Sequence, residues 1–129
     1  MPRKSKGVYR QSYSDTDMAA AIQAVTDRGH GAHIDVKGKD DITVLMIVCI
    51  TGHDKVVEIL LEHKADLNLA DKNGGTALAL DSFTGHSIIV GNLLQNGAQI
   101  NSKDKDDKTA LVVACIEGHH KVLKVLLEH

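Results

Sequence analysis

The 129-residue sequence has very few aromatic residues: one phenylalanine, two tyrosines and no tryptophan. This scarcity excludes a large aromatic core and a platform on which nucleic-acid bases could stack. The net charge of −2 argues against a surface that binds nucleic acid in general. No apolar run approaches the roughly 18 residues of a membrane span, and the N-terminus lacks the apolar segment of a signal peptide. We therefore expect an intracellular protein, in the cytoplasm or the nucleus.

What the chain does contain is a repeat of 33 residues, marked by Thr43, Thr76 and Thr109. A leucine follows each threonine after two positions, and Gly-His pairs recur at 52–53, 85–86 and 118–119. A fixed period of this size is typical of stacked copies of one supersecondary unit rather than a single closed core. The units occupy residues 38–70, 71–103 and 104–129, and the last of them is incomplete.

Each unit predicts the same order of local structure. A polar, turn-prone stretch opens the unit, since Gly, Asn and Asp tolerate positive φ. The threonine then caps a short helix with its side-chain oxygen, and the glycine of the Gly-His pair ends that helix in a left-handed conformation. A second helix follows at 54–63, 87–96 or 120–129, with apolar residues at helical spacing. These second helices are apolar over a wide arc, so each needs neighbours on both sides.

Three segments of the sequence resemble ankyrin repeats over residues 38–129: TVLMIVCITGHDKVVEILLEHKADLN, TALALDSFTGHSIIVGNLLQNGAQIN and TALVVACIEGHHKVLKVLLEH. The resemblance implies an all-α solenoid of stacked helix-turn-helix units with β-turn fingers. It also implies a non-catalytic scaffold or adaptor, which binds another protein through its finger tips and the concave face of its first helices. We also predict no cofactor, no small-molecule substrate and no membrane partner.

The outward positions of the resemblance provide the candidate contact residues, each of which could equally be an ordinary exposed residue. On the fingers the candidates are Lys39, Asp40, Ile42, Lys72, Asn73, Gly75, Lys105, Asp106 and Lys108. On the first helices they are Ile50, Thr51, Phe83, Thr84, Ile116 and Glu117. We expect the apolar members of the second set to form a strip flanked by mixed charge, because apolar anchors within a polar rim dominate interface energetics.

The chain departs from the family pattern at several positions. Lys64 replaces the glycine that is usual at the end of the second helix. Asp81 and Ser82 stand where the family has two alanines, and an unpaired buried carboxylate would cost several kcal/mol. The Gly-Asn pair at 91–92 is expected to interrupt the second helix of the middle unit. We therefore predict that the middle repeat is the least stable.

The two cysteines and eight histidines invite disulfide and metal hypotheses. Cys49 and Cys115 are two repeats apart, so stacking at about 8–10 Å places their Cα atoms about 16–20 Å apart, beyond the roughly 7 Å limit of a disulfide. We expect both to be small buried apolar residues. The histidines of the Gly-His pairs are expected to bond to backbone, and no Cys-x-x-Cys or His-Glu-x-x-His pattern is present. We predict no metal ligand and no catalytic residue.

The first 37 residues predict a basic tail followed by a partial repeat. Residues 1–13 are expected to be disordered or, alternatively, to serve nuclear import or phosphate contact. Residues 14–37 predict a helix over 15–28 and a degenerate half-repeat, in which Asp35 precedes Asn68 by one period. Residues 8–28 are also similar to the start of Pipsqueak-type helix-turn-helix domains, which read DNA with a later helix. The sequence after Gly29 does not supply that helix.

Two alternative functions stay open. One is a DNA-binding or transposase-derived regulatory protein that recruits partners with its repeats, which predicts salt-dependent DNA retention lost on deletion of residues 1–30. The other is a non-catalytic part of a larger enzyme. Because the third unit stops at the end of its second helix, we expect a fragment of a longer array.

Overall fold

Six α-helices account for most of the computed structural model, which describes residues 34–129. They form three helical hairpins: α1 (Val44–Thr51) with α2 (Asp54–Glu62), α3 (Ala77–Thr84) with α4 (Ser87–Gln95), and α5 (Ala110–Glu117) with α6 (His120–Leu127). A short 3-10 turn at Lys39–Asp41 precedes α1. Within residues 34–129 there is no strand, and the one extended pairing is an antiparallel bridge between Ala70 and Thr76. None of these helices is long and apolar enough to cross a membrane.

The ends of the first helices are built as the sequence predicts. The side-chain oxygens of Thr43, Thr76 and Thr109 each accept a hydrogen bond from the backbone N–H three residues later, at 3.3–3.4 Å. The glycines of the three Gly-His pairs have φ values of 81°, 90° and 74° and end α1, α3 and α5. These caps hold each inner helix to two turns.

The hairpins stack in chain order, so that the first helices form an inner row and the second helices an outer row. In the inner row α3 packs between α1 and α5, and in the outer row α4 packs between α2 and α6. The main core lies between the rows and includes Val57, Leu78, Ile89, Val90, Leu93 and Val122. A second core contains only finger and inner-helix residues: Ile42, Met46, Ile47, Ala79, Leu80 and Val113. This architecture is an all-α repeat solenoid.

Several predictions for the start of the chain lie outside the described residues: the basic tail at 1–13, the helix at 15–28 and the Pipsqueak-like segment at 8–28. Only residues 34–37 of the half-repeat are described. There Oδ1 of Asp35 accepts a hydrogen bond from the backbone N–H of Asp66 at 2.8 Å. One period later, Oδ1 of Asn68 accepts one from the backbone N–H of Gln99 at 2.9 Å. The same loop contact is therefore made at both positions.

Two expectations about the helices were wrong. Cys49 is buried, with Asp81 of α3 near its thiol, but Cys115 is exposed, because within residues 34–129 no further inner helix packs on the far side of α5. The Gly-Asn pair at 91–92 does not interrupt α4, which is continuous from Ser87 to Gln95. Burial of apolar side chains on both sides of the pair holds this helix together despite its weak helix formers.

Candidate partner-binding surface

The second and third fingers are each closed by one buried aspartate at their base. Oδ1 of Asp71 accepts hydrogen bonds from the backbone N–H groups of Asn73 and Gly75, both at 2.9 Å. Oδ1 of Asp104 accepts the equivalent bonds from Asp106 and Lys108, at 2.8 and 2.9 Å. A short carboxylate that bonds to the backbone two and four residues later stabilises a tight loop. The finger conformation is therefore fixed without help from a partner.

Neighbouring fingers are also joined edge to edge. The backbone N–H of Lys72 donates to the carbonyl oxygen of Asp40 at 3.0 Å, and that of Lys105 donates to Asn73 at 3.1 Å. The Lys72 ammonium also lies 3.2 Å from Oδ1 of Asp40. Since the lysine side chain is 55% exposed, this ion pair contributes at most about 1 kcal/mol. The backbone bonds set the spacing of the fingers, and the charges stay near the surface.

The fingers expose only some of the residues that were predicted to contact a partner. Four of the nine are exposed: Lys39, Lys72, Lys105 and Asp106. Two are half-buried: Asp40 and Lys108. The prediction is corrected for the three that are buried: Ile42, Asn73 and Gly75. Ile42 belongs to the second core, Asn73 is only 8% exposed, and Gly75 has no side chain and donates its backbone N–H to the Asp71 carboxylate.

The inner helices present all six of their predicted contact residues at least in part. Thr51 and Ile116 are exposed, and four are half-buried: Ile50, Phe83, Thr84 and Glu117. Ile50 and Phe83 occupy the same position in successive repeats and both pack on the second core. Ile116, at the same position of α5, is 53% exposed. The three apolar side chains thus form one row across the inner helices, which we call the inner row patch (Ile50, Phe83 and Ile116).

The histidines of the second and third Gly-His pairs connect each of these repeats to the one before it. Nδ1 of His86 donates to the carbonyl oxygen of Cys49 at 3.0 Å, and Nε2 of His119 donates to that of Phe83 at 2.8 Å. A carbonyl oxygen can only accept, so each of these ring nitrogens carries a proton. The predicted bonding to backbone is confirmed for His86 and His119, where it acts between repeats, whereas Nδ1 of His53 lies 3.2 Å from the Thr51 hydroxyl of its own repeat. Among residues 34–129, no three His, Cys, Asp or Glu side chains are placed to hold a metal ion.

A buried carboxyl group lies between the first two repeats. Asp81 is fully buried, with Oδ1 at 3.2 Å from Nδ1 of His86 and 3.4 Å from the Thr84 hydroxyl. Its Oδ2 is buried without a hydrogen-bond partner. Burial raises the pKa of Asp81 from 3.8 to about 8, and the hydrogen bond from Thr84 opposes that shift. Burial, followed by the nearby Asp81 charge, also raises the pKa of Cys49.

This arrangement contains capped helix pairs in register, fingers closed by aspartate, and rings that bridge successive units. A family model described as Ankyrin repeats (3 copies) matches residues 14–104 and 82–129. The chain belongs to the ankyrin-repeat family. A search of curated proteins found no match.

Membership of this family indicates a general class of function. Ankyrin repeats are generally protein–protein interaction modules, and they typically bind other proteins. The family is typically non-catalytic. In a solenoid the binding surface is an extended face formed by successive units. In this chain the residues of the inner row patch lie at one position of three successive repeats.

Proposed function

We propose that this chain is a scaffold or adaptor, which binds another protein through its finger tips and the inner row patch. The observation that carries the proposal is the alignment of Ile50, Phe83 and Ile116 at one position of three successive repeats. Packing within the fold does not require Ile116 to be apolar, since more than half of it is exposed. A cluster of apolar side chains beside a polar rim is the usual composition of a protein interface.

We also propose that the protein acts in a reducing compartment, the cytoplasm or the nucleus. Both of its cysteines are free thiols, and Cys115 is exposed. An exposed free thiol is readily oxidised or paired where disulfides form, which are the secretory and extracellular compartments. An unpaired Cys115 therefore fits an intracellular adaptor.

The test compares three versions of the chain as baits in the cells that produce it: the wild type, Ile116→Asp and Ile88→Asp. Ile88 is the matched control, because it is also an exposed isoleucine, at 68%, but lies on the outer helix α4. The proposal expects at least one captured protein that is lost with Ile116→Asp and kept with Ile88→Asp. Capture that is equal for both variants, or lost only with Ile88→Asp, would place binding elsewhere on the molecule.

A further inference from the structure

The inner helices have almost no charged side chains at their surface. In α1 there is no Lys, Arg, Asp or Glu, and in α3 the only one is Asp81, which is fully buried. In α5 the only one is Glu117, which is half-buried. Among the outer helices, α2 has Asp54, Lys55, Glu58 and Glu62, three of them exposed, and α6 has Lys121 and Lys124, both exposed, whereas α4 has no charged residue. The outward side of α1, α3 and α5, which we call the floor of the proposed binding face, is therefore largely apolar and has one accessible charge, Glu117 at the end of α5.

The finger tips that border this floor have balanced charge. Their exposed or half-buried lysines are Lys39, Lys72, Lys105 and Lys108. Their exposed or half-buried aspartates are Asp40, Asp41, Asp106 and Asp107. The accessible charges of the finger tips are four of each sign, and the buried Asp71 and Asp104 carboxylates lie below them at the finger bases. One accessible pair, Lys72 with Asp40, is already bridged within the molecule. Such a rim has no large net charge to attract a strongly acidic or basic segment.

The floor also offers few free hydrogen-bonding groups. The Thr51 hydroxyl donates to the carbonyl oxygen of Ile47 at 3.0 Å, and the Thr84 hydroxyl donates to that of Asp81 at 3.2 Å. The backbones of the inner helices are hydrogen-bonded internally. An extended segment laid on this floor would leave backbone N–H and C=O groups desolvated without partners, at about 1–3 kcal/mol for each group. A helix satisfies its own backbone, so it avoids this cost.

We propose that the partner segment is an amphipathic α-helix with an uncharged apolar side, lying across α1, α3 and α5 on the inner row patch; this rests on the proposed function. The repeat spacing sets the register of its anchors. Inner helices in contact lie about 8–10 Å apart, and an α-helix rises about 1.5 Å per residue, so one repeat corresponds to about five to seven residues. Of these spacings, seven residues is about two full turns and therefore keeps the anchors on one side of the partner helix. The partner places apolar side chains at about i, i+7 and i+14, one against each repeat.

The experiment uses the full chain and four fluorescent synthetic peptides of about five helical turns, which is enough for three anchors at this spacing. The first has leucines along one side and uncharged polar residues on the other. The second and third carry glutamate or lysine in place of the leucines. The fourth is the first peptide with a central proline that breaks the helix. Anisotropy titrations at about 50 mM and about 500 mM salt separate apolar from electrostatic binding.

The proposal expects saturable binding of the leucine peptide and of none of the other three peptides. The dissociation constant should change less than about twofold between the two salt concentrations. Ile116→Asp and Phe83→Ala are each expected to weaken it about tenfold, and Ile88→Asp less than twofold. Circular dichroism of each variant shows whether the fold is kept. Because Ile116 is more than half exposed, its substitution keeps the readout valid even if Phe83→Ala unfolds the chain.

Three results would overturn the partner class: no saturable binding of the leucine peptide, tighter binding of a charged peptide, or equal binding of the proline peptide. Loss of binding with Ile88→Asp would overturn the proposed location of the site on the inner row patch. The two proposals fail separately. If an Ile116-dependent protein is captured from cells while the leucine peptide does not bind, the adaptor function stands and the helical, apolar partner is wrong. If neither is observed, both are wrong.

Discussion

At the scale of single residues, the most consequential side chain is Asp81, a carboxyl group buried between two repeats. The aligned residues of the other two repeats, Val48 and Ala114, are both apolar, which indicates from the sequence that this position faces the core; in the structure Val48 is half-buried and Ala114 is buried. The alignment does not predict the neighbour, because the bond to His86 depends on how the chain turns after Gly85. The repeat alignment therefore predicts where a buried group lies better than it predicts what the group contacts.

Asp81 makes the stability of the fold dependent on pH. Its pKa is raised from 3.8 to about 8 on folding, so the folded state holds this proton more tightly than the unfolded state. With respect to this group, the free energy of unfolding is therefore highest below about pH 4. It falls as the pH rises from about 4 through 8, by at most about 1.4 kcal/mol per pH unit. Asp81→Ala removes this loss and matches Ala114. We expect the variant to exceed the wild type by about 1–3 kcal/mol at pH 8 and by less at pH 5.

Urea unfolding at several pH values between 5 and 8 measures this difference. Asp106→Ala is the control, because Asp106 is exposed on the third finger and should leave the pH profile unchanged. Parallel profiles for Asp81→Ala and the wild type would show that Asp81 does not bind its proton more tightly in the folded state.

At the scale of helices, the three copies differ in how well their local sequence fits a shared backbone. The loop after α2 turns at Lys64, which has φ 66°, whereas the same position after α4 is Gly97 with φ 97°. A residue with a Cβ pays about 1 kcal/mol or more for the left-handed region, and glycine does not. The position was identifiable from the sequence, because the repeat alignment sets Lys64 against a glycine.

Lys64→Gly is expected to raise the free energy of unfolding by about 1 kcal/mol. The reciprocal change, Gly97→Ala, should lower it by a similar amount, since nothing lies within 4 Å of an added Cβ there and only the backbone conformation opposes it. Thermal unfolding of both variants measures these two changes in stability. A gain for Lys64→Gly together with a loss for Gly97→Ala supports the interpretation, and a loss of stability in Lys64→Gly contradicts it.

The middle outer helix also carries a local defect that can be repaired. Gly91 lies inside α4, and a Cβ added there would meet only Cγ1 of Val125, at 4.0 Å, which is ordinary van der Waals contact. Alanine is about 1 kcal/mol more favourable than glycine inside a helix. We expect Gly91→Ala to raise the urea midpoint of the whole chain. An unchanged midpoint would mean that α4 does not limit stability.

At the scale of the whole molecule, the 33-residue period predicted the fold because every cap, core position and finger recurs with it. The period could not predict which of the equivalent residues in different repeats are buried by a neighbouring helix. Cys49 and Cys115 share a position, and only Cys49, whose inner helix is covered by the inner helix of the next repeat, is buried. It also could not show that Ile42, Asn73 and Gly75 are buried, because finger residues follow the geometry of a turn, and their spacing has no amphipathic period.

The coupling between whole repeats depends on how histidine rings fit against glycines. A Cβ added at Gly85 would lie 2.7 Å from Nδ1 of His119, the ring that bonds to the Phe83 carbonyl. Gly118 has a similar left-handed φ, but nothing lies within 4 Å of an added Cβ. Gly85→Ala and Gly118→Ala therefore share the backbone cost of about 1 kcal/mol, and only the first displaces a ring between repeats.

We expect Gly85→Ala to destabilise the fold by about 1–3 kcal/mol more than Gly118→Ala, through loss of the interface between the second and third repeats. In a solenoid, stability is a sum of repeat and nearest-neighbour interface contributions, so this loss should free the end of the stack first. Amide hydrogen exchange should therefore become faster in α5 and α6 than in α1 and α2. Uniform acceleration across all six helices would show instead that the three repeats unfold as one unit.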